Sequence, residues 1–193
     1  MLAWNSLALS RQGFDLMDKK RNILIRELME LISEATQIQS QIDETFREAY
    51  LSLQKANIQM GIHEVEAFSQ MVAVERSIQV KRRSVMGAEI PCVEYEEGER
   101  RPSYEFYGTT VALDEAKEKF DRVKFLTMRL AQIENSAYRL AVNIKKTQKR
   151  ANALSNITIP KFERLTKEIQ NALEEKEREE FTRLKVIKRM QQG

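Results

Sequence analysis

The residues whose types could do chemistry gather in a few places. Lys145, Lys146, Lys149 and Arg150 set four cations within six positions, a density able to hold the phosphates of nucleic acid or an anionic lipid surface. Four cations beside an apolar seam equally suit a solvated face or a protein contact. Between Glu174 and Glu180 the carboxylates look paired, but Lys176 and Arg178 alternate with them. That mixture is a helix face rather than acid–base machinery. His63 is the sole histidine and Cys92 the sole cysteine. A lone histidine lacks the companions a metal site needs. A lone cysteine beside Pro91 suits a small apolar role and can close no internal disulfide. No nucleophile stands beside a base and no glycine loop cradles phosphate. The sequence thus supports no catalytic centre, cofactor or metal. Tyr95, Tyr104, Phe106 and Tyr107 crowd one stretch, either to anchor a partner or to cover neighbouring helices.

The elements that carry these residues are helical. Charged residues make up 32% and apolar ones 42%, with only six Gly and three Pro, so helix formers dominate over loop formers. Thirty-two cations against twenty-nine anions leave +3, which gives no reason to expect a nucleic-acid partner. No apolar run approaches the roughly 20 residues that span a bilayer, and the opening MLAWNSLAL lacks the basic lead of a signal peptide. A soluble chain in a reducing compartment is expected, without direct membrane insertion.

From Leu24 the apolar positions fall at Leu24, Leu28, Leu31, Ala35, Ile38 and Ile42, then Phe46, Ala49, Leu53, Ala56 and Met60. Alternating threes and fours mark a seam against a partner helix. The doubled four from Ala35 to Phe46 reads as a stutter. Gly13 interrupts the helix, and it could allow another backbone to approach closely. Beyond Val72 the texture changes. Ser77 to Lys81 and Ile90 to Tyr95 alternate apolar with polar, and Met86-Gly87 lies between them, which predicts two short strands in a hairpin. Glu94 to Tyr104 reads as a mobile loop.

A return helix begins at Leu113-Asp114. Its seam runs through Ala116, Phe120, Val123, Leu126, Leu130, Ile133, Ala137, Leu140 and Ile144. Thr147, Ala151, Leu154 and Thr158 continue it. The register slips near Pro160, where a kink is expected, and Phe162, Leu165, Ile169 and Ala172 resume it.

The fold class read from these patterns is all-α. It is a long antiparallel two-helix coiled coil with both termini at one end and a short β-hairpin-like insertion at mid-chain. Residues 1–193 form a single elongated unit: 1–72 the first long helix, 73–112 the hairpin and loop insertion, 113–190 the return helix with a kink near 160. Each helix would be about 100 Å long at 1.5 Å per residue. A pair this thin should work inside a larger assembly.

Three segments, in order and at matching spacing, resemble the D subunit of the V-type and A-type rotary ATPases. Gly13 to Leu24, GFDLMDKKRNIL, is similar to G-x-x-L-L-x-x-K-R-[DN]-x-L; Val85 to Pro91, VMGAEIP, is similar to MG-x-x-[IV]-P. The third is KKTQKRANALSNITIPKFERL from Lys145, followed by LEEKEREEFTRLKVIK. The likeness covers nearly the whole chain. Met17 departs from it at the second Leu position, Asn22 sits where Asp is common, and 92–108 match poorly.

The resemblance implies a non-catalytic central rotor shaft, cytoplasmic and peripheral to the membrane as part of the complex. Such a shaft transmits torque between ATP turnover in the ring of A and B subunits and ion movement through the membrane ring. It further implies the stalk's F subunit and the socket subunit (C or d) as partners. On that reading Arg11, Lys19, Lys20, Arg21, Arg26, Arg183, Lys185, Lys188 and Arg189 are candidate contacts to the catalytic ring. Lys145, Lys146, Lys149, Arg150, Tyr95, Tyr104, Phe106 and Tyr107 are candidate contacts to stalk partners. The alternative is a non-rotary coiled-coil tether or scaffold.

Overall fold

A computed structural model of the chain describes residues 2–72, 74, 78–95 and 108–191. Helix α1 spans Leu2–Met60 and α2 spans Ile62–Gln70. Strands β1 (Ile78–Val85) and β2 (Ala88–Tyr95) form an antiparallel hairpin. Helix α3 covers Val111–Ala153, a π-helical turn occupies Leu154–Thr158, and α4 covers Ile159–Gln191. The long amino-terminal and carboxy-terminal helices and the mid-chain hairpin match the expected fold class. The loop expected over 94–104 lies, beyond Tyr95, outside the described residues. The first helix breaks at Gly61, where φ is +95° and ψ 147°, a conformation essentially closed to residues with a Cβ.

Two compact units are distinguished, Leu24–Asn143 and the pairing of Met1–Ile23 with Ile144–Gly193. Within Leu24–Asn143, α1 and α3 run antiparallel. Glu34 meets Arg129 at 2.7 Å, and further along α1 Ser52 meets Lys119, earlier on α3, at 2.9 Å. Ile38, Ile42 and Ile133 form one core cluster, flanked by Leu31, Ala35, Phe46, Leu126 and Leu130. Ala56, Val65, Ala112 and Leu113 form another, where α2 closes over the start of α3. Leu24 and Leu140 are fully buried, and burial of each such side chain stabilises by roughly 1.5–3 kcal/mol.

Every seam position named above from Leu24 to Met60 and from Ala116 to Ile144 is buried or half-buried. The stutter is resolved differently. The most buried line runs Ile42, Thr45, Ala49, Ser52, Ala56, in threes and fours without interruption, and Phe46 and Leu53 flank it. Two hydroxyl residues therefore sit where apolar ones were sought. Thr45 Oγ1 donates to the Gln41 carbonyl at 2.7 Å and Ser52 Oγ accepts from Lys119 Nζ, so neither is left unsatisfied by burial.

In the hairpin, Met86 (φ +49°) and Gly87 (φ +75°) form a two-residue turn, whose left-handed backbone matches the strand twist. Ala88 and Ile90 of β2 are buried, whereas β1 is exposed from Ile78 to Ser84.

The other unit is also antiparallel. Arg11 pairs with Glu163 at 2.7 Å and Arg21 hydrogen-bonds Gln148 at 2.7 Å. Gly13 does not serve a close backbone approach. A Cβ placed there would meet only Leu154 Cδ1 at 3.7 Å, an ordinary contact.

The irregularity before Pro160 takes the form of the π turn, closed by a bond from Ile159 N–H to the Leu154 carbonyl. Continued unchanged, the alternation through Ala151, Leu154 and Thr158 would next bring Lys161, Leu165 and Glu168 to the interface. The π turn holds one extra residue and advances the phase, so Phe162 and Thr166 arrive instead. Thr166 is 5% exposed and Leu165 39%. The expected seam position Leu165 is thus corrected to Thr166, whose hydroxyl donates to the Glu163 carbonyl at 2.9 Å. Ile169 and Ala172, also expected on the seam, are exposed, as is every residue from Lys167 to Gln191.

Candidate functional site: charged and apolar surfaces

The cations differ in environment. Arg11 is exposed and carries the ion pair with Glu163. Lys19 and Arg26 are exposed and Lys20 is half-buried. Arg21 is turned inward. Its guanidinium binds Gln148 Oε1 on α3 and Asp18 on α1, and Gln148 in turn donates to Asn152 Oδ1 at 2.7 Å. This network brings Lys19 and Lys20 to the level of Lys145, Lys146, Lys149 and Arg150. Of these, Lys145, Lys146 and Arg150 are exposed, and so is Lys149. Two basic runs far apart in sequence thereby share one level of the same unit. Arg183, Lys185, Lys188 and Arg189 lie on the fully exposed stretch of α4.

Of the four aromatics, Tyr95 is half-buried. Its ring meets Phe125 at 6.1 Å between centroids, and Lys124 Nζ lies 5.9 Å from its ring centre. Tyr95 therefore belongs at least in part to the packing of the hairpin. Tyr104, Phe106 and Tyr107 lie outside the described residues. Cys92 is half-buried in a cleft of about 420 Å³ beneath the hairpin, which Arg83, Glu27, Arg129 and Glu34 also line. Those four charges form two pairs, Arg83 with Glu27 at 4.0 Å and Arg129 with Glu34 at 2.7 Å, so none is left reaching for a ligand.

Exposed aliphatics are the surface feature that counting cations missed. On α1, Leu2, Leu9 and Leu16 repeat every seven residues and are 86%, 70% and 63% exposed. That spacing is visible in the sequence, one position before the line of Ser10, Met17 and Leu24. Along α4, Leu173, Phe181, Leu184, Ile187 and Met190 are exposed. Where the chain of the Leu24–Asn143 unit turns around, Ile58, Ile62, Val74 and Val111 are exposed as well. Exposed apolar side chains gathered on one face are candidates for contact with other molecules. Among the described residues no helix is long and apolar enough to cross a membrane.

Known proteins are similar to this sequence along nearly its whole length. The family model for the D subunit of ATP synthase matches residues 3–189. The V-type ATP synthase D subunit of Thermotoga neapolitana is 46% identical over 182 residues, covering 94% of this chain and 90% of that one. The A-type ATP synthase D subunit of Thermococcus kodakarensis is 36% identical over 185 residues, covering 94% and 86%. That of Pyrococcus horikoshii is 37% identical over 183 residues, covering 93% and 86%.

Proposed function

The chain belongs to the family of ATP synthase D subunits, non-catalytic subunits of the stalk, and from that premise we propose that it is the central rotor shaft of a V/A-type rotary ATPase. As a single mechanical unit, it carries torque between the ring of A and B subunits, where ATP turns over, and the ion-translocating ring in the membrane. It lies on the cytoplasmic side, held to the membrane only through the complex.

The observation that carries this reading is the fully exposed run of α4 from Lys167 to Gln191, with its apolar Leu173, Phe181, Leu184, Ile187 and Met190. A helix gains little from standing alone in water, and this one finds no cover within the described residues of its own chain. It fits a shaft end enclosed by a ring. Arg11, Lys19, Lys20, Arg26, Arg183, Lys185, Lys188 and Arg189 would meet acidic or polar loops of the A and B subunits there. Arg21 supports them by positioning α1 on α3.

Exposed ion pairs are worth about 0–1 kcal/mol each. A surface built on them has no steep preference for one angular position, which suits rotation. The basic level formed by Lys145, Lys146, Lys149 and Arg150 is assigned to stalk partners, with the F subunit the first choice. Tyr95, Tyr104, Phe106 and Tyr107 are assigned to the same contacts. The exposed aliphatics at the turn-around end suit the socket subunit.

Reconstitution tests the proposal. Added to a purified ring of A and B subunits, the full chain should co-purify with it and restore sustained ATP turnover. Replacing Arg183, Lys185, Lys188 and Arg189 together by Gln should weaken that restoration. A ring whose turnover is indifferent to the chain would favour the tether reading instead.

A further inference from the structure

The two edges of the hairpin are treated oppositely. The two-residue turn makes Val85 and Ala88 a hydrogen-bonded pair, and the register then fixes every other pair along the ladder. Glu89, Pro91, Val93 and Tyr95 consequently direct their backbone groups away from β1. Three of these are met by one face of α3. Arg139 Nη1 donates to the Glu89 carbonyl at 3.3 Å, Ser136 Oγ donates to the Pro91 carbonyl at 3.4 Å, and Val93 N–H donates to Gln132 Oε1 at 2.9 Å. Pro91 has no N–H to offer, and it sits at an outward position where none is missed. The outer edge of β2 is thus covered by α3 from Glu89 to Val93.

By the same alternation Val80, Arg82 and Ser84 direct their N–H and C=O groups to the outside of β1. Among the described residues nothing meets them. An uncovered edge strand is a template for another strand.

We propose that this edge of β1 takes an extended acidic segment of another polypeptide as a third strand. Charge selects that occupant. Lys81, Arg82 and Arg83 stand in succession on β1, with side chains 61%, 77% and 67% exposed. Two copies of this chain laid edge to edge would set those cations against each other, so the strand is protected from itself. An incoming carboxylate meets the opposite field. On the face that carries Lys81 and Arg83, it can share Lys81 with Glu94, whose pairing across the hairpin is solvent-exposed and weak, while Arg82 stands on the opposite face with Val80. Val80, 66% exposed on the outer face, offers the alternating apolar contact that a strand with acidic residues on one side and aliphatic ones on the other would fill. The inference does not depend on the shaft role, since it rests on the hairpin alone.

The test uses the full chain, isotopically labelled, and a short capped peptide alternating glutamate with valine. The peptide should bind and slow amide exchange at Val80, Arg82 and Ser84, with affinity falling as salt is raised. N-methylation of the peptide's inward amides should weaken binding at least about tenfold, because the ladder bonds are lost. Arg82→Pro removes an outward N–H at a position where an edge strand tolerates proline, and it should weaken binding more than Arg82→Gln, which removes only the charge. Unchanged protection of the Val93 amide would certify that the hairpin remains folded in both variants. The proposal is overturned if the peptide fails to bind at millimolar concentration. It is equally overturned if a lysine–valine peptide binds as well, if the two Arg82 variants bind alike, or if the three amides gain no protection.

Discussion

The interface within Leu24–Asn143 and the long run of α4 beyond Thr166 are both amphipathic helix, yet they stand at opposite ends of exposure. In the first, Leu24 and Leu140 are fully buried and Ile38, Ile42 and Ile133 interlock. In the second, Leu173, Leu184 and Met190 are 55%, 65% and 78% exposed. Residues of one chemical kind are thus covered in one region and exposed in the other. Among the described residues the difference lies in whether a facing helix is present, not in the kind of residue.

Paired truncations sharpen that contrast. Leu140→Ala should destabilise the chain by about 2–5 kcal/mol, read from equilibrium urea denaturation. Leu184→Ala should change stability by no more than about 0.5 kcal/mol, its effect appearing only in assembly. Equal costs would erase the distinction between the two regions.

The next largest effect is expected at the break between α1 and α2. Gly61→Ala forces a Cβ into a backbone conformation with φ of +95°, and although nothing lies within 4 Å of it, the strain should cost roughly 1–3 kcal/mol. A neutral result would mean that the break is soft enough to rebuild as continuous helix.

Gln132→Ala leaves the Val93 N–H without its acceptor. It should cost about 1–3 kcal/mol and speed amide exchange at Val93 while leaving the interface near Ile38 protected. Smallest is Glu163→Gln. It removes an exposed pair with Arg11 worth about 0–1 kcal/mol, and high salt should shrink even that.

Much of this was legible in the residues. The spacing of Leu24 through Met60 and of Ala116 through Ile144 named the buried faces, and Met86-Gly87 between alternating runs named the hairpin. What escaped is one class of residue. Among the described residues the buried polar positions are Ser10, Thr45, Ser52, Ser136, Thr147 and Thr166, hydroxyl side chains on the helix seams. A search for apolar periodicity skips them. A serine or threonine on a helix can turn its hydroxyl to the carbonyl a turn earlier, as Ser10 does to Ser6 at 2.7 Å, and then pack as a small apolar group. Reading Thr45 and Ser52 as seam removes the apparent stutter.

The slip near Pro160 was legible, and Phe162 with it, but not the position that follows, since Leu165 and Thr166 compete for the same place. The charged surface was legible as composition only. That Arg21 would be spent on Gln148 required the facing helix to be known.

The most direct test of the shaft reading is to watch it turn. With a gold particle attached at the hairpin through Met86→Cys in a Cys92→Ser background, the chain is assembled with an immobilised ring of A and B subunits and supplied with ATP. The account predicts unidirectional stepwise rotation of the particle that stops when ATP is withdrawn. Continued ATP hydrolysis beneath a stationary particle would contradict it.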